Sequence, residues 1–463
     1  KINLCGGNIM PEITLPKKNI PVKDNVDICV LGGSCTGVFA AVRAARLGAD
    51  VVIVEKQNCF GGTATAGNVN IWHSLYDNDK QEQIIGGLTV EVIERLKKRQ
   101  ALISKEKELG RNDYDGYILN TAELKIELDE LIKEENIKPY LHTQYICPYL
   151  EEDELRGVVL NNKSGMFAVK AEKFIDATGD GDLCYHLNIP AYYQDNLQPP
   201  TSCAKIKGMN TLKKEGFDFQ KALDEYGSEF GLQDDWGWSA EIPGTEDVRM
   251  HAETHVFNTN GADGDQLTEA EIEGRRQIRA YMDLVRKYAE SGENITLLDL
   301  PATIGIRETR HIKSQYQVTE EDILYGKEFA DAIGQGTYRV DIHHSDRPGI
   351  TFKYLDGKKR VFNGRGEADV SRWREKVENP PTYYQIPFRS LIPRGRDNVI
   401  FCGRMIDADS GAFSALRVMV NTNQMGEAAG VAAVLAMETN TSFKSLSAKK
   451  LRNKLKKGGS ILI

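Results

Sequence analysis

Apolar positions in the first part of the chain alternate between short solid runs and stretches of helical spacing. Residues 26–31 and 51–54 are short, largely apolar runs of strand length. Between them, over 36–47, apolar residues recur at three- and four-residue intervals. This predicts strand, helix, strand. Helical spacing with charged partners returns at 83–109 and 121–134, and residues 140–144 form another strand-like run. The runs 146–150, 155–161 and 166–169 are short, alternating and split by acidic or Asn/Gly turns, which predicts a β-meander closing at 173–177. From residue 183 the pattern changes. Strands of a different sheet are predicted at 201–209 and 249–258. Two helices follow, one over 268–291 with Thr268 and Glu271 as a capping box, and one over 319–333 stopped by Gly334. An apolar strand at 398–402 and a helix of small residues at 414–437 complete the pattern. Residues 1–24 hold several prolines and predict an extended arm.

Glycine punctuates this pattern where chemistry is expected. The first strand-to-helix turn holds Gly32, Gly33, Ser34, Cys35, Thr36 and Gly37, and Glu55 follows Gly37 by 18 residues at the end of the second strand. In a dinucleotide-binding unit the first glycine makes the tight turn and the last lets the helix pack on the sheet. The helix N-terminus then faces a pyrophosphate, and the acid accepts hydrogen bonds from a ribose. The usual pattern has glycine at position 34. Serine there adds a small side chain whose hydroxyl can itself bond a phosphate. Beyond Glu55 and Lys56 comes a second glycine-rich loop with Gly61, Gly62, Thr63 and Thr65, small enough for backbone to run against a planar ligand. Ala177, Thr178 and Gly179 end the meander, and Gly403-Arg404 ends the strand at 398–402.

In this order the three separated motifs resemble the FAD-binding domain of glutathione-reductase-like flavoproteins, in particular the fumarate-reductase-like branch and the bacterial FAD-dependent oxidoreductases. The resemblance implies an α/β chain: a Rossmann-type FAD-binding domain with a β-meander, plus an inserted α+β substrate domain. It places FAD-binding segments at 1–185 and 379–463 and the substrate domain at 186–378. It implies FAD contacts at Ala177, Thr178 and Gly179 and in the last motif, where helix N-terminal amides face the flavin and where Arg417 falls. The family pattern has Gly-Asp where this chain has Gly403-Arg404. The acid for the ribitol is therefore open, with Asp407 or Asp409 as substitutes.

Composition narrows the partners. The chain has 463 residues and a net charge of −8, which argues against a nucleic-acid or anionic-membrane surface. No apolar run is long enough to span a bilayer. Eight scattered cysteines without a CxxC pair fit a reducing compartment and a cytoplasmic location. The absence of methionine at position 1 leaves upstream processing and export open. The expected partner is a small-molecule substrate, and a homo-oligomer is compatible with the sequence.

Catalytic candidates come from segments that should meet at the domain junction. His73, after the second glycine loop, is an acid/base candidate. Arg307 and Arg310 flank Glu308, and two guanidinium groups in one pocket would clamp a carboxylate; a structural Arg–Glu network is the alternative. In the stretch containing His343 and His344, neighbours point to opposite faces, and His343 is taken as the pocket residue. Arg389 is a further anion contact. His251 and His255 are spaced HxxxH but have no obvious third ligand, so no metal is expected. Cys59 and His73 are the residues to consider for covalent flavin attachment. The reading is a hydride-transferring FAD enzyme acting on a small polar or anionic substrate. A flavin monooxygenase, or a flavin-binding subunit that needs a partner, is the alternative.

Overall fold

The computed structural model describes residue 13 and residues 16–105, 116–364 and 366–463. Most of the predicted N-terminal arm, with Cys5, and the predicted helix beyond residue 105 lie outside the described residues.

Val22–Leu31 is the hub of the main sheet. It pairs in parallel with Val51–Val54 on one side and Gly165–Asp176 on the other, and Lys138–Tyr140 continues the parallel set past Val51–Val54. Residues 28–31 and 51–54 are buried along their whole length, as an apolar run covered on both faces of a parallel sheet must be. The 12-residue strand Gly165–Asp176 does double duty. Its first part carries the antiparallel meander strands Glu154–Asn162 and Gln144–Glu151, while its last residues pair in parallel with Val399–Phe401. The end of that strand therefore lies between the first and last motifs of the chain.

Helix Cys35–Arg46 crosses the helix Met419–Glu438 at main-chain contact. A Cβ on Gly426 would stand 2.1 Å from the Thr36 carbonyl oxygen, and one on Gly430 would stand 2.2 Å from that of Ala40. Only glycine permits that approach. Arg43 and Glu427 meet across the same interface in a buried ion pair, with Nε to Oε2 at 2.7 Å.

Four predicted helices differ in extent. The helix expected over 83–109 is Leu88–Lys98; Gly87 precedes it and Gln100, at φ +57°, turns the chain out of it. The long helix is Gly264–Tyr288, capped by Asp263. Thr268 lies inside it, donating to the Gly264 carbonyl at 2.8 Å, so the predicted capping box does not form. The helix expected over 319–333 is the short Glu320–Leu324, with a capping box between Thr319 and Asp322. Gly326, at φ +61°, ends it, and Ala332–Gly336 is a strand. The helix expected over 414–437 is two helices, Ser410–Leu416 and Met419–Glu438, broken at Arg417 and Val418.

Within 186–378, Trp238–Glu241, Val248–Ala252, Ala204–Lys207 and Thr296–Asp299 form an antiparallel sheet in that order, and the core beside it includes Ile278, Tyr281 and Val285 of the long helix. The strands Val340–His343, Ile350–Lys353, Lys358–Phe362 and Asp369–Arg372 form a second meander. Val318, Ile323, Ile333 and Val340 instead join the core that holds the Cys35–Arg46 helix.

Candidate functional site

A cleft of about 330 Å³ runs between the C-terminal ends of the parallel strands and the sheet of residues 204–299. Gly32, Gly179 and Gly403, from three distant turns, all line it. All three have positive φ, at +96°, +84° and +105°. A side chain at Gly32 would strike the Ala177 carbonyl oxygen at 2.3 Å, so the turn lies directly against the end of the neighbouring strand. Ser34 caps the first helix, its hydroxyl accepting from the Gly37 amide at 3.4 Å. The Glu55 carboxylate accepts from the Gly33 amide at 2.7 Å and the Gln57 amide at 2.8 Å. Each of its oxygens keeps lone-pair capacity for a ribose hydroxyl.

The second glycine loop forms the floor. Gly61, Gly62 and Thr63 line the cleft, as do Cys35, Thr36 and Lys56. Ala177 and Thr178 line it from the end of the meander, and Arg404 from the last motif. Arg404 reaches back to Asp180 at 2.7 Å and Thr309 at 2.9 Å. Burial opposes ionisation of Asp180, but the charges of Arg404 and Lys56 outweigh it and hold the carboxyl below its ordinary range. At the far end, the break between Ser410–Leu416 and Met419–Glu438 exposes the N-terminus of the 20-residue helix, and Val418, Met419 and Thr422 line the cleft there. The positive end of a long helix dipole thus faces the cavity.

These residues fit FAD. Glu55 and the first helix N-terminus suit the adenosine ribose and pyrophosphate. The glycine-lined floor leaves room for an extended dinucleotide, and the second helix N-terminus suits the electron-rich ring.

Several expected residues lie elsewhere. Gly33 and Gly37 sit behind the lining, as backbone donor to Glu55 and as the contact where a Cβ would meet the Gly32 carbonyl oxygen at 1.9 Å. Thr65 holds the loop from inside, donating to the Phe60 carbonyl at 2.5 Å. Asp407 is fully buried and accepts from the Ser314 amide at 2.7 Å and the Tyr192 hydroxyl at 2.9 Å, while Asp409 caps Ser410–Leu416. Neither substitute acid lines the cleft; Asp180 does. The expected Arg307–Arg310 clamp does not form. Arg310 turns away to Asp182 at 3.2 Å and over the Tyr185 ring. Glu308, between them, pairs with His311 at 3.1 Å. Arg389 is half-exposed and bonded to Asp331 at 2.9 Å, outside the cleft.

The wall opposite the glycine turns is cationic. Arg307, Arg339 and Arg417 line it, with Asp341 as the acid among them. Arg307 is buried and donates to the Pro199 carbonyl and to the Thr201 hydroxyl, the latter at 2.6 Å. Burial, with help from Arg417, brings its pKa down to about 10. Arg417 lies 3.7 Å from the Asp341 carboxylate. Tyr338 donates to Asp341 and carries the His73 ring on its face, 4.0 Å between centroids. Burial first, then the charges of Arg339 and Arg417, lower the His73 pKa to about 3. Burial and Arg307 likewise hold His343 well below its ordinary value. Both rings are therefore neutral near pH 7, each able to accept a hydrogen bond at one nitrogen and to donate one at the other. His343 is on the cleft wall, whereas His344 bonds Thr351 at 3.0 Å.

Arg339, Tyr338 and Asp341 are not among the sequence candidates. Arg339, Asp341 and His343 stand two apart on and just before the strand Val340–His343, so the alternation that selected His343 also marks the other two.

Fold and cleft define a FAD-binding flavoprotein. The chain matches the family model described as FAD dependent oxidoreductase over residues 27–455, and it belongs to that family. A mitochondrial dihydrolipoyl dehydrogenase of Schizosaccharomyces pombe is 33% identical over 82 residues, 15% of this chain, so the chain spans only 16% of that curated relative. Solved structures with a similar fold include a geranylgeranyl bacteriochlorophyll reductase-like protein from Thermoplasma acidophilum (10% identity, TM-score 0.44, 94% of this chain and 83% of that one). Another is p-nitrophenol 4-monooxygenase from Pseudomonas putida DLL-E4 (10% identity, TM-score 0.40, 93% and 84%). No helix among the described residues is long and apolar enough to cross a membrane.

Proposed function

We propose that the protein is a dehydrogenase or reductase of the glutathione-reductase-like or fumarate-reductase-like branch, acting on a small organic anion, such as a carboxylate, bound beside FAD. The observation that carries this is the convergence of Arg307, Arg339 and Arg417 on the cleft that the three glycine turns line. Arg307 and Arg417 present guanidinium groups to the cleft, and an anionic substrate would meet them with charge-assisted bonds. Bound FAD supplies a hydride acceptor or donor; the protein supplies orientation, charge and a proton site. In this reading Arg307 and Arg417 orient the anion. His73 or His343 takes or gives the proton on the substrate heteroatom, both rings being neutral and standing at the wall. The local similarity to a dihydrolipoyl dehydrogenase supports the branch. FAD held by Gly32, Ser34, Glu55, Gly179 and Gly403 would leave the cationic wall for substrate.

The test is direct. Purified protein should be yellow, and a panel of small mono- and dicarboxylates should perturb the visible flavin spectrum saturably, with members reducing it under anaerobic conditions. A colourless protein that takes up no FAD contradicts the cofactor assignment. A yellow protein blind to every anion, yet responsive to neutral compounds, contradicts the substrate class. Incorporation of labelled oxygen into product would favour the monooxygenase alternative.

A further inference from the structure

Behind the cationic wall lies a second cavity of about 220 Å³. It is lined by Asp235, His255, Glu253 and Glu273 among others. His343 and His255 meet between it and the cleft. His343, on the cleft wall, has its Nε2 3.5 Å from Asp341 and its ring centroid 5.0 Å from that of His255. His255 Nδ1 in turn lies 2.7 Å from Asp235 Oδ2. All four side chains are at most 7% exposed.

The pair is held in place from several directions. Asp235 Oδ1 accepts from the amides of Trp236 at 2.7 Å and Gly349 at 2.8 Å, which leaves Oδ2 turned to His255. Gln277, from the long helix, brackets the His255 backbone, accepting from its amide at 3.1 Å and donating to its carbonyl at 2.9 Å. Burial opposes ionisation of Asp235, yet its bond to His255 keeps the carboxyl below its ordinary range. A carboxylate that orients an imidazole and stabilises its protonated form is the physical requirement for a histidine that passes protons.

We propose that His255 and Asp235 form a proton relay between His343, on the wall of the redox cleft, and the second cavity. The proposal rests on the reading of the cleft as a flavin site. Bound FAD would supply the hydride acceptor when a substrate gives up hydride from carbon, with both C–H bonding electrons, and a proton from oxygen or nitrogen. What remains is a bare proton in a pocket rich in guanidinium charge. His343, kept neutral, takes it at one ring nitrogen as it yields the proton on the other; His255 receives that proton directly or through one water, and Asp235 holds the resulting imidazolium until the proton leaves through the second cavity. Reduction of a substrate runs the same path inward. His255 is in this sense a positioning and transfer residue; it does not touch substrate.

The experiment needs no substrate. Holoenzyme is photoreduced anaerobically, flavin bleaching is followed together with the colour of a dissolved pH dye, and wild type is compared with His255→Phe and Asp235→Asn. Wild-type proton uptake should keep pace with bleaching, while in both variants it should lag by about tenfold or more. Imidazole should restore the pace in His255→Ala by entering the vacated space. A measurement on the unmutated chain guards against misfolding: deuterium exchange at histidine C2, read by mass spectrometry, requires passage through the imidazolium. His255 should exchange about tenfold faster than His311, which is fully buried and bonded through both ring nitrogens to Ile406 and Glu308. Equal exchange at the two rings, or unaltered uptake in a yellow His255→Phe protein, overturns the relay alone. A colourless wild-type protein overturns the flavin reading and the relay with it.

Discussion

Replacing Arg43 by methionine tests how strongly the two helices that frame the cleft depend on one buried pair. Arg43 and Glu427 are 5% and 1% exposed. The guanidinium Nε lies 2.7 Å from Oε2, and Nη2 reaches the Ser460 hydroxyl at 3.2 Å; Glu427 Oε1 also accepts from the Leu88 amide at 3.0 Å. Methionine keeps most of the volume and removes the charge, leaving a carboxylate in an apolar helix interface. Breaking a buried pair from one side costs about 3–5 kcal/mol. In the double variant Arg43→Met/Glu427→Gln, the neutral amide keeps the Leu88 bond, so the deficit should shrink to about 1–2 kcal/mol. The pH dependence has a definite sign. Burial already raises the Glu427 pKa, against the opposing charge of Arg43; without Arg43 it rises further. A carboxyl whose folded pKa exceeds its unfolded value favours folding below the ordinary glutamate range, and loses that contribution as pH rises through the folded value. The Arg43→Met deficit should therefore be smaller at pH 5.5 than at pH 7.5. Urea unfolding by tryptophan fluorescence, with flavin release followed in parallel, measures all three effects. A single variant within about 1 kcal/mol of wild type, or a double variant no better than the single, would refute the reasoning.

Other expectations follow from the cleft. Gly37→Ala introduces a Cβ 1.9 Å from the Gly32 carbonyl oxygen; the purified variant should have lost most of its bound FAD by absorbance, and full retention would show that the turn tolerates displacement. Arg417→Met removes one charged donor from the wall. At about 1.5–3 kcal/mol per charge-assisted bond it should weaken carboxylate binding roughly 10- to 100-fold in a flavin-perturbation titration. His73, with its pKa lowered to about 3, should show no imidazole titration by NMR between pH 5 and 8. Because its folded pKa is depressed, its contribution to stability is present above pH 6.5 and lost as pH falls towards 3.

The cofactor half of this molecule was readable in the chain because its requirements are local. A tight turn, a helix start and an acid must fall at fixed offsets, and Gly32, Ser34, Gly37 and Glu55 do. The substrate half depends on which of several distant arginines turn inward, and spacing does not decide that. Arg307 and Arg310 look equivalent in sequence, yet Asp182 and Tyr185 draw Arg310 away. Arg389 was read as a pocket residue, and Asp331 holds it outside. Asp407 and Asp409 were considered because an acid was missing after Gly403, and both are spent on backbone amides. Asp180, in the turn after Gly179, faces Arg404 in the cleft. Arg339 and Asp341 share the two-residue period of His343. The helix expected over 319–333 misled for a simpler reason: acids and a capping threonine start a helix but do not say how long it lasts.

The contact of Gly426 with Thr36 and of Gly430 with Ala40 has a practical corollary. Since main chain touches main chain there, no compensating side-chain change elsewhere can restore the spacing once it is widened. A programme to redirect the enzyme towards new substrates should treat those four positions as fixed. Its randomisation belongs in Trp236 and Trp238, which line the cleft with side chains.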